Sequence, residues 1–233
     1  MAKFSRLLFP PIQRCSLCNA ALEEPVDDGL CPKCLSLMPK ISTLLCPRCG
    51  RPDITETSLC PDCQTLPPSF TTNRSLWIYQ DQAKEILQLF KFNKRPHLAY
   101  LLARLLSELY QSQNLRSDFL TFVPMSNQAL RLRGYNQSAL VTAELAKILQ
   151  LPIKEVLVKD KRVKAQHFLS REERWLNLND QSFSMRKSLL ANTKVLLVDD
   201  VFTTGATAHF CSLALLRGGA SEVRLLTVAR AIV

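Results

Sequence analysis

The residues with the most evident chemistry form one run, Val195-Leu196-Leu197-Val198-Asp199-Asp200-Val201-Phe202-Thr203-Thr204-Gly205-Ala206-Thr207. Thr203, Thr204 and Thr207 offer hydroxyl donors, Ala206 is small, and Gly205 lets a ligand approach the backbone closely. At the start of a helix, where unpaired N–H groups carry partial positive charge, such a loop cradles a phosphate. The lysine of a nucleotide-triphosphate loop, GxxxxGK(S/T), is missing. Asp199 and Asp200 repel phosphate, so they address another part of the same ligand, and vicinal sugar hydroxyls are natural donors to two carboxylates. A ribose 5-phosphate satisfies both halves.

A second set of reactive side chains lies at the other end of the chain. Eight of the nine cysteines precede residue 64 as four C-x-x-C pairs: Cys15/Cys18, Cys31/Cys34, Cys46/Cys49 and Cys60/Cys63. Each pair is a knuckle, and two knuckles complete a tetrahedral zinc site with four cysteine ligands. Sequential pairing places the first four cysteines on one ion and the last four on another. A cross-braced arrangement exchanges the middle pairs, and the spacing admits both. A disulfide scaffold requires an oxidising compartment. The opening MAKFSRLLFPPIQRC has no small-residue cleavage site, so no signal peptide is expected and the reading is a cytoplasmic protein. Four thiolates leave no open position on either ion, so both Zn2+ sites read as structural and supply folding energy that so small a segment lacks.

These groups must be positioned by an α/β scaffold. Val195–Val198 reads as a strand buried on both faces in a parallel sheet, with the acid pair where it leaves the sheet and a helix over residues 208–217. In open α/β sheets ligands collect outside the carboxyl ends of the strands. Further strands are expected at 74–80, 119–124, 153–158 and 222–229. Ala83, Ile86, Leu87 and Phe90 mark one amphipathic helix, ending in the basic Lys91-Phe92-Asn93-Lys94-Arg95-Pro96. The stripe Leu98–Leu109 marks a second, residues 135–150 a third, and Ser170 with Glu173 forms a capping box for a fourth. Residues 64–69 are proline-rich, which divides the chain into a cysteine-rich domain over 1–66 and an α/β domain over 67–233. His209 and Cys211 read as scaffold.

The chain of 233 residues carries a formal charge of +10. Residues 1–63 hold seven basic and seven acidic side chains, so the whole excess lies in residues 64–233. That domain attracts an acidic ligand, either a phosphorylated metabolite alone or also a nucleic-acid backbone. No apolar run approaches the roughly 18 residues of a membrane helix, so no membrane insertion is expected.

The run VLLVDDVFTTGAT resembles the phosphoribosyl-pyrophosphate (PRPP) signature of type I phosphoribosyltransferases. A second element, Val123-Pro124-Met125-Ser126 followed by Arg131-Leu132-Arg133-Gly134-Tyr135-Asn136-Gln137, is similar to the VPVP…RxRGFNQ element of the ComF family. That family joins a cysteine-rich head to a phosphoribosyltransferase-like domain. The resemblance implies a type I phosphoribosyltransferase-like parallel sheet flanked by helices, with a small N-terminal double zinc-ribbon domain. It implies that PRPP binds with Mg2+, that Arg131, Arg133 and Gly134 hold the pyrophosphate, and that Asp199 and Asp200 are the catalytic acids beside the Thr203–Thr207 cradle. A mobile loop containing Lys161, Arg162 and Gln166 is expected to close over the ligand.

The family's pattern in that region reads RxRxTxxQxxL. This chain keeps Gln166, Leu169, Arg174 and Asn177, and departs from the family with Lys159, Lys161, Val163 and Ser182-Phe183. His167 is a candidate general base there. The implied function is phosphoribosyl transfer with release of pyrophosphate in the context of DNA uptake and natural transformation. The alternative is a non-catalytic module on the same fold that senses PRPP or binds single-stranded DNA or competence proteins. No aromatic-rich strand interleaved with Lys and Arg, of the kind that stacks bases, is present in the sequence.

Overall fold

The structure is a computed structural model describing residues 14–22, 29–41, 44–52, 58–92, 95–160, 171–189 and 191–232, with backbone alone at 171, 172 and 174. Four strands form one parallel sheet in the order β1-β6-β5-β2: β1 Thr72–Ile78, β2 Phe119–Phe122, β5 Thr193–Phe202 and β6 Ala220–Arg230. Val195–Val198 is 0–1% exposed, as four consecutive apolar β-formers in a central strand should be. Helices cover both faces. Alternate residues of β5 define them, because successive side chains in a strand point to opposite sides.

Leu196 and Val198 pack with α3 (Asp81–Phe92), α4 (Leu98–Ser112) and α6 (Gln137–Leu149). Val195 and Leu197 pack on the other face with α8 (Ala206–Arg217), in a core that also takes Trp175 of α7 (Arg171–Leu176) and residues of the antiparallel pair β3 (Leu157–Lys159) and β4 (Phe183–Met185). Each cysteine cluster joins one of these cores. Cys15, Leu30, Cys34 and Met38 pack with Trp77, Ile86 and Leu101, while Cys46, Cys49, Cys60 and Cys63 pack with Phe70, Phe119 and Leu197. The short helices α1 (Pro32–Ser36) and α2 (Pro61–Thr65) each begin directly after a cysteine, with proline at the first helical position.

The chain after the first cluster and the first knuckle of the second cover the β1 edge. Ile78 N–H donates to the Pro39 carbonyl at 3.0 Å and Asn73 N–H to the Arg48 carbonyl at 2.7 Å, which protects an otherwise open sheet edge. Gly50 is held at φ +73°, and a Cβ there would lie 2.6 Å from the Asn73 carbonyl oxygen. Only glycine permits that approach.

Three expectations need correction. The strand foreseen at 153–158 is split. Ile153 makes a single parallel bridge to Leu120, and the ladder with β4 starts only at Leu157. Ile153, Lys154 and Glu155 are exposed, so this stretch has no apolar face to hold it in a sheet. The segment after β2, for which the sequence marks no helix, contains helix α5 (Asn127–Arg133). Ser126 Oγ accepts the Ala129 N–H at 3.3 Å, and Gly134, at φ +83°, closes the helix. The acid pair is not beyond β5 but inside it, because β6 pairs with β5 as far as Phe202↔Arg230.

Among the described residues no helix is long and apolar enough to cross a membrane. Lys161, Arg162, Gln166, His167 and Ser170 lie outside the described residues.

Candidate functional site

The two cysteine clusters are sequential. Cys15, Cys18, Cys31 and Cys34 form one, Cys46, Cys49, Cys60 and Cys63 the other, and within each set all Sγ atoms lie within 4.8 Å of one another. A tetrahedral ion with Zn–S near 2.3 Å separates its sulfurs by about 3.8 Å. The Cys18–Cys31 and Cys49–Cys60 separations, 3.7 and 3.6 Å, match that geometry. The hydrogen bond from the Cys63 thiol draws Cys49 down to about 5 and pushes Cys63 up. Both sets fit Zn2+, with every ligand position filled by sulfur.

The acid pair stands where β2 stops. The register β2–β5 ends at Phe122↔Val198, so Asp199 to Phe202 have β6 on one side and, among the described residues, no strand on the other, a crevice at the strand ends. Such a crevice outside the strand ends is the usual ligand site of an open parallel sheet.

The two carboxylates differ in their partners. Asp199 Oδ1 accepts the Ser138 hydroxyl at 2.9 Å and the Asp200 N–H at 2.9 Å. Burial, and then the neighbouring charge of Asp200, raise Asp199 from 3.8 to about 7. Asp200 Oδ2 pairs with Lys91 Nζ at 3.0 Å, both side chains largely enclosed. Lys91 belongs to the last turn of α3. The sequence marked it only as a helix-end cation, and its basic cluster was the one available signal. Ser138, in the first turn of α6, had no sequence signal.

Lys159, at the end of β3, is lowered by burial and held up in part by the charge of Asp199. This departure from the family pattern is therefore electrostatically coupled to the acid pair.

Thr203 and Thr204 follow β5 and remain partly exposed. Gly205 adopts φ +83° and serves as N-cap of α8 without a side chain to occupy its amides. A Cβ at Gly205 would lie 2.8 Å from the Phe202 ring. Thr204 Oγ1 accepts the Ala206 N–H at 3.3 Å, and Thr207 is in the first helical turn, half-buried. The result is a helix N-terminus with hydroxyls beside it.

Arg133 donates to Gln137 at 3.2 Å, one residue from Ser138, and lies over the Phe92 ring. Arg131 is exposed on α5, and Gly134 is the αL residue that turns the chain towards α6. Asn136 fixes that junction: its Nδ2 donates to the Val123 carbonyl at 3.0 Å and its Oδ1 accepts the Ala139 N–H at 3.2 Å. His209 is structural. Its Nδ1 accepts the Ser69 N–H at 3.1 Å, and its ring packs against Trp175 and Phe210.

A parallel α/β sheet with an acid pair and a glycine-opened helix at its carboxyl end, joined to two four-cysteine sites, defines the class of this protein. Residues 4–64 match the double zinc ribbon domain family. The chain is 29% identical over 233 residues to competence protein ComFC of Bacillus subtilis, covering 93% of this chain and 94% of that protein. It is 30% identical over 210 residues to DNA utilization protein YhgH of Salmonella typhimurium, covering 87% and 90%. The chain belongs to the ComF family. A solved structure of glutamine PRPP amidotransferase from B. subtilis aligns over 60% of this chain and 30% of its own, at 20% identity and a TM-score of 0.42.

Proposed function

We propose that this protein binds PRPP with Mg2+ at the carboxyl end of β5 and transfers its phosphoribosyl group to an acceptor, releasing pyrophosphate. The observation that carries the reading is one arrangement. An acid pair sits at the open crevice beside β2, and within a few residues a left-handed glycine opens the N-terminus of α8 among threonine hydroxyls. The 5-phosphate then meets the amides of α8 with Thr203, Thr204 and Thr207, and the ribose hydroxyls meet Asp200 and Asp199. Arg131, Arg133 and Gly134, at the carboxyl end of α5, would hold the pyrophosphate.

In the transfer the bond from ribose C1 to the pyrophosphate oxygen breaks and the pair of electrons leaves with pyrophosphate. A bond from C1 to the acceptor's nucleophilic atom forms. Positive charge develops on the ribose in between, and the carboxylate of Asp200 favours it. Mg2+, when bound, neutralises the phosphate oxygens. Lys91 holds Asp200 oriented through their ion pair until the ribose arrives.

The names of the relatives, competence protein and DNA utilization protein, support a role in DNA uptake and natural transformation, and the excess basic charge supports a second reading as a PRPP-sensing or single-strand-binding module. Incubation of the zinc-loaded protein with PRPP, Mg2+ and a panel of acceptors, with pyrophosphate release as readout, tests the transferase. Release that Asp200→Asn abolishes supports it. Salt-sensitive retention of a DNA single strand without release supports the module.

A further inference from the structure

The second cysteine cluster does more than end the chain's cysteine-rich segment. Together with the loop after β5 it encloses a cavity of about 260 Å³. The cavity is distinct from the crevice of the acid pair, since neither Asp199 nor Asp200 lines it, although both sites share the Thr203–Gly205 loop. Its walls are aromatic: Phe70 and Phe202 meet edge-on with centroids 5.8 Å apart, and Trp175 joins them. Leu66 and Ile232 line it as well, and both are about half exposed, which places them at the mouth.

One lining side chain is charged and buried. Arg230, at the end of β6, is 6% exposed. It stacks over Phe202 at 4.9 Å and donates to the Cys49 carbonyl at 2.6 Å. Its Nε has no acceptor, and no carboxylate pairs with it, among the described residues. A buried guanidinium is costly unless its donors are met. A loaded zinc site offsets part of its charge, and the cavity that Arg230 lines is where a further acceptor can reach the guanidinium.

We propose that this cavity binds a planar aromatic ring bearing a hydrogen-bond-accepting edge, a carboxylate or carboxamide, with the edge on Arg230 and the ring against Phe70 and Trp175. The size suits a small ring system, since the volume lies just below the ~300–1,000 Å³ typical of drug-sized ligands. The planar fork of arginine matches a carboxylate or amide oxygen, and aromatic walls match the ring face. The cavity shares the Thr203–Gly205 loop with the proposed phosphate cradle, but the ring's binding does not require PRPP.

The two tryptophans give a built-in control. Trp175 lines the cavity, whereas Trp77 packs in the core on the other face of the sheet. In amide-correlated NMR spectra of the zinc-loaded full chain, with the indoles assigned through Trp175→Phe, benzoate, benzamide and indole are titrated in turn. The expected result is a saturable shift of the Trp175 indole in the low millimolar range with benzoate or benzamide and a still Trp77. Indole, which has no accepting edge, binds about tenfold more weakly. The stronger of the two acceptors tells whether the natural ligand is an acid or an amide. Arg230→Gln removes the preference over indole. Because that change also breaks the bond to Cys49, Leu66→Trp at the mouth is the second variant, and it blocks binding while leaving the fold intact. No saturable shift with either acceptor, equal shifts at both tryptophans, or unchanged binding in Leu66→Trp overturns the proposal.

Discussion

Asp199→Asn is predicted to stabilise the protein, and to do so increasingly as pH rises. Asn keeps an oxygen to accept the Ser138 hydroxyl and the Asp200 N–H. The folded carboxyl titrates at about 7 against 3.8 when unperturbed. Between those values the folded state holds a proton that the unfolded state has lost. Stability therefore falls as pH rises through this window and levels off above it. At ~1.4 kcal/mol per pH unit the full penalty is about 4 kcal/mol, of which roughly half develops between about pH 5.5 and 8. That is an upper bound, because the substitution also removes the negative charge that Lys159 feels. The assay is the urea midpoint of zinc-loaded parent and variant across that interval, where thiolate coordination is kept. The variant should gain about 2 kcal/mol on the parent from the acid to the alkaline end. Parallel profiles would refute the reasoning that burial holds this carboxyl near neutrality.

Lys91→Met leaves Asp200 enclosed without its cation and should lose about 3 kcal/mol, much of it recovered when Asp200→Asn is added, in a double-mutant cycle by denaturant unfolding. An additive pair of effects contradicts the contact. Gly205→Ala forces a side chain into φ +83° and against Phe202, so its unfolding free energy should drop by roughly 1–3 kcal/mol, and an unaltered unfolding midpoint would show that the turn tolerates a Cβ. Metal analysis should find two Zn2+ per chain, and chelation should collapse both faces of the sheet together, seen as loss of near-UV circular dichroism. Retention of that signal without zinc means that the ribbons do not hold the cores.

What was legible in the sequence is what local pattern encodes. Val195–Val198 announced a central strand because burial on both faces leaves no polar position. The leucines of α4 announced a helix by their period, and the C-x-x-C spacing announced two zinc sites. The pairing of the knuckles was not encoded locally, since both arrangements share the same spacers. Helix α5 was missed because it buries no residue, so no apolar period exists to betray it, and only Ser126 and Gly134 frame it. The break at Ile153 follows from the exposure of Ile153, Lys154 and Glu155, which depends on tertiary placement and not on local pattern. The pairing of Asp200 with Lys91 and of Asp199 with Ser138 joins residues 109 and 61 positions apart, a consequence of topology alone.

Calorimetry of the zinc-loaded protein with PRPP in the presence of Mg2+ tests the central claim most directly. The account predicts saturable heat at one site per chain, sharply reduced in Asp200→Asn while the fold is retained. Absence of heat with the parent protein, or undiminished binding in that variant, would contradict it.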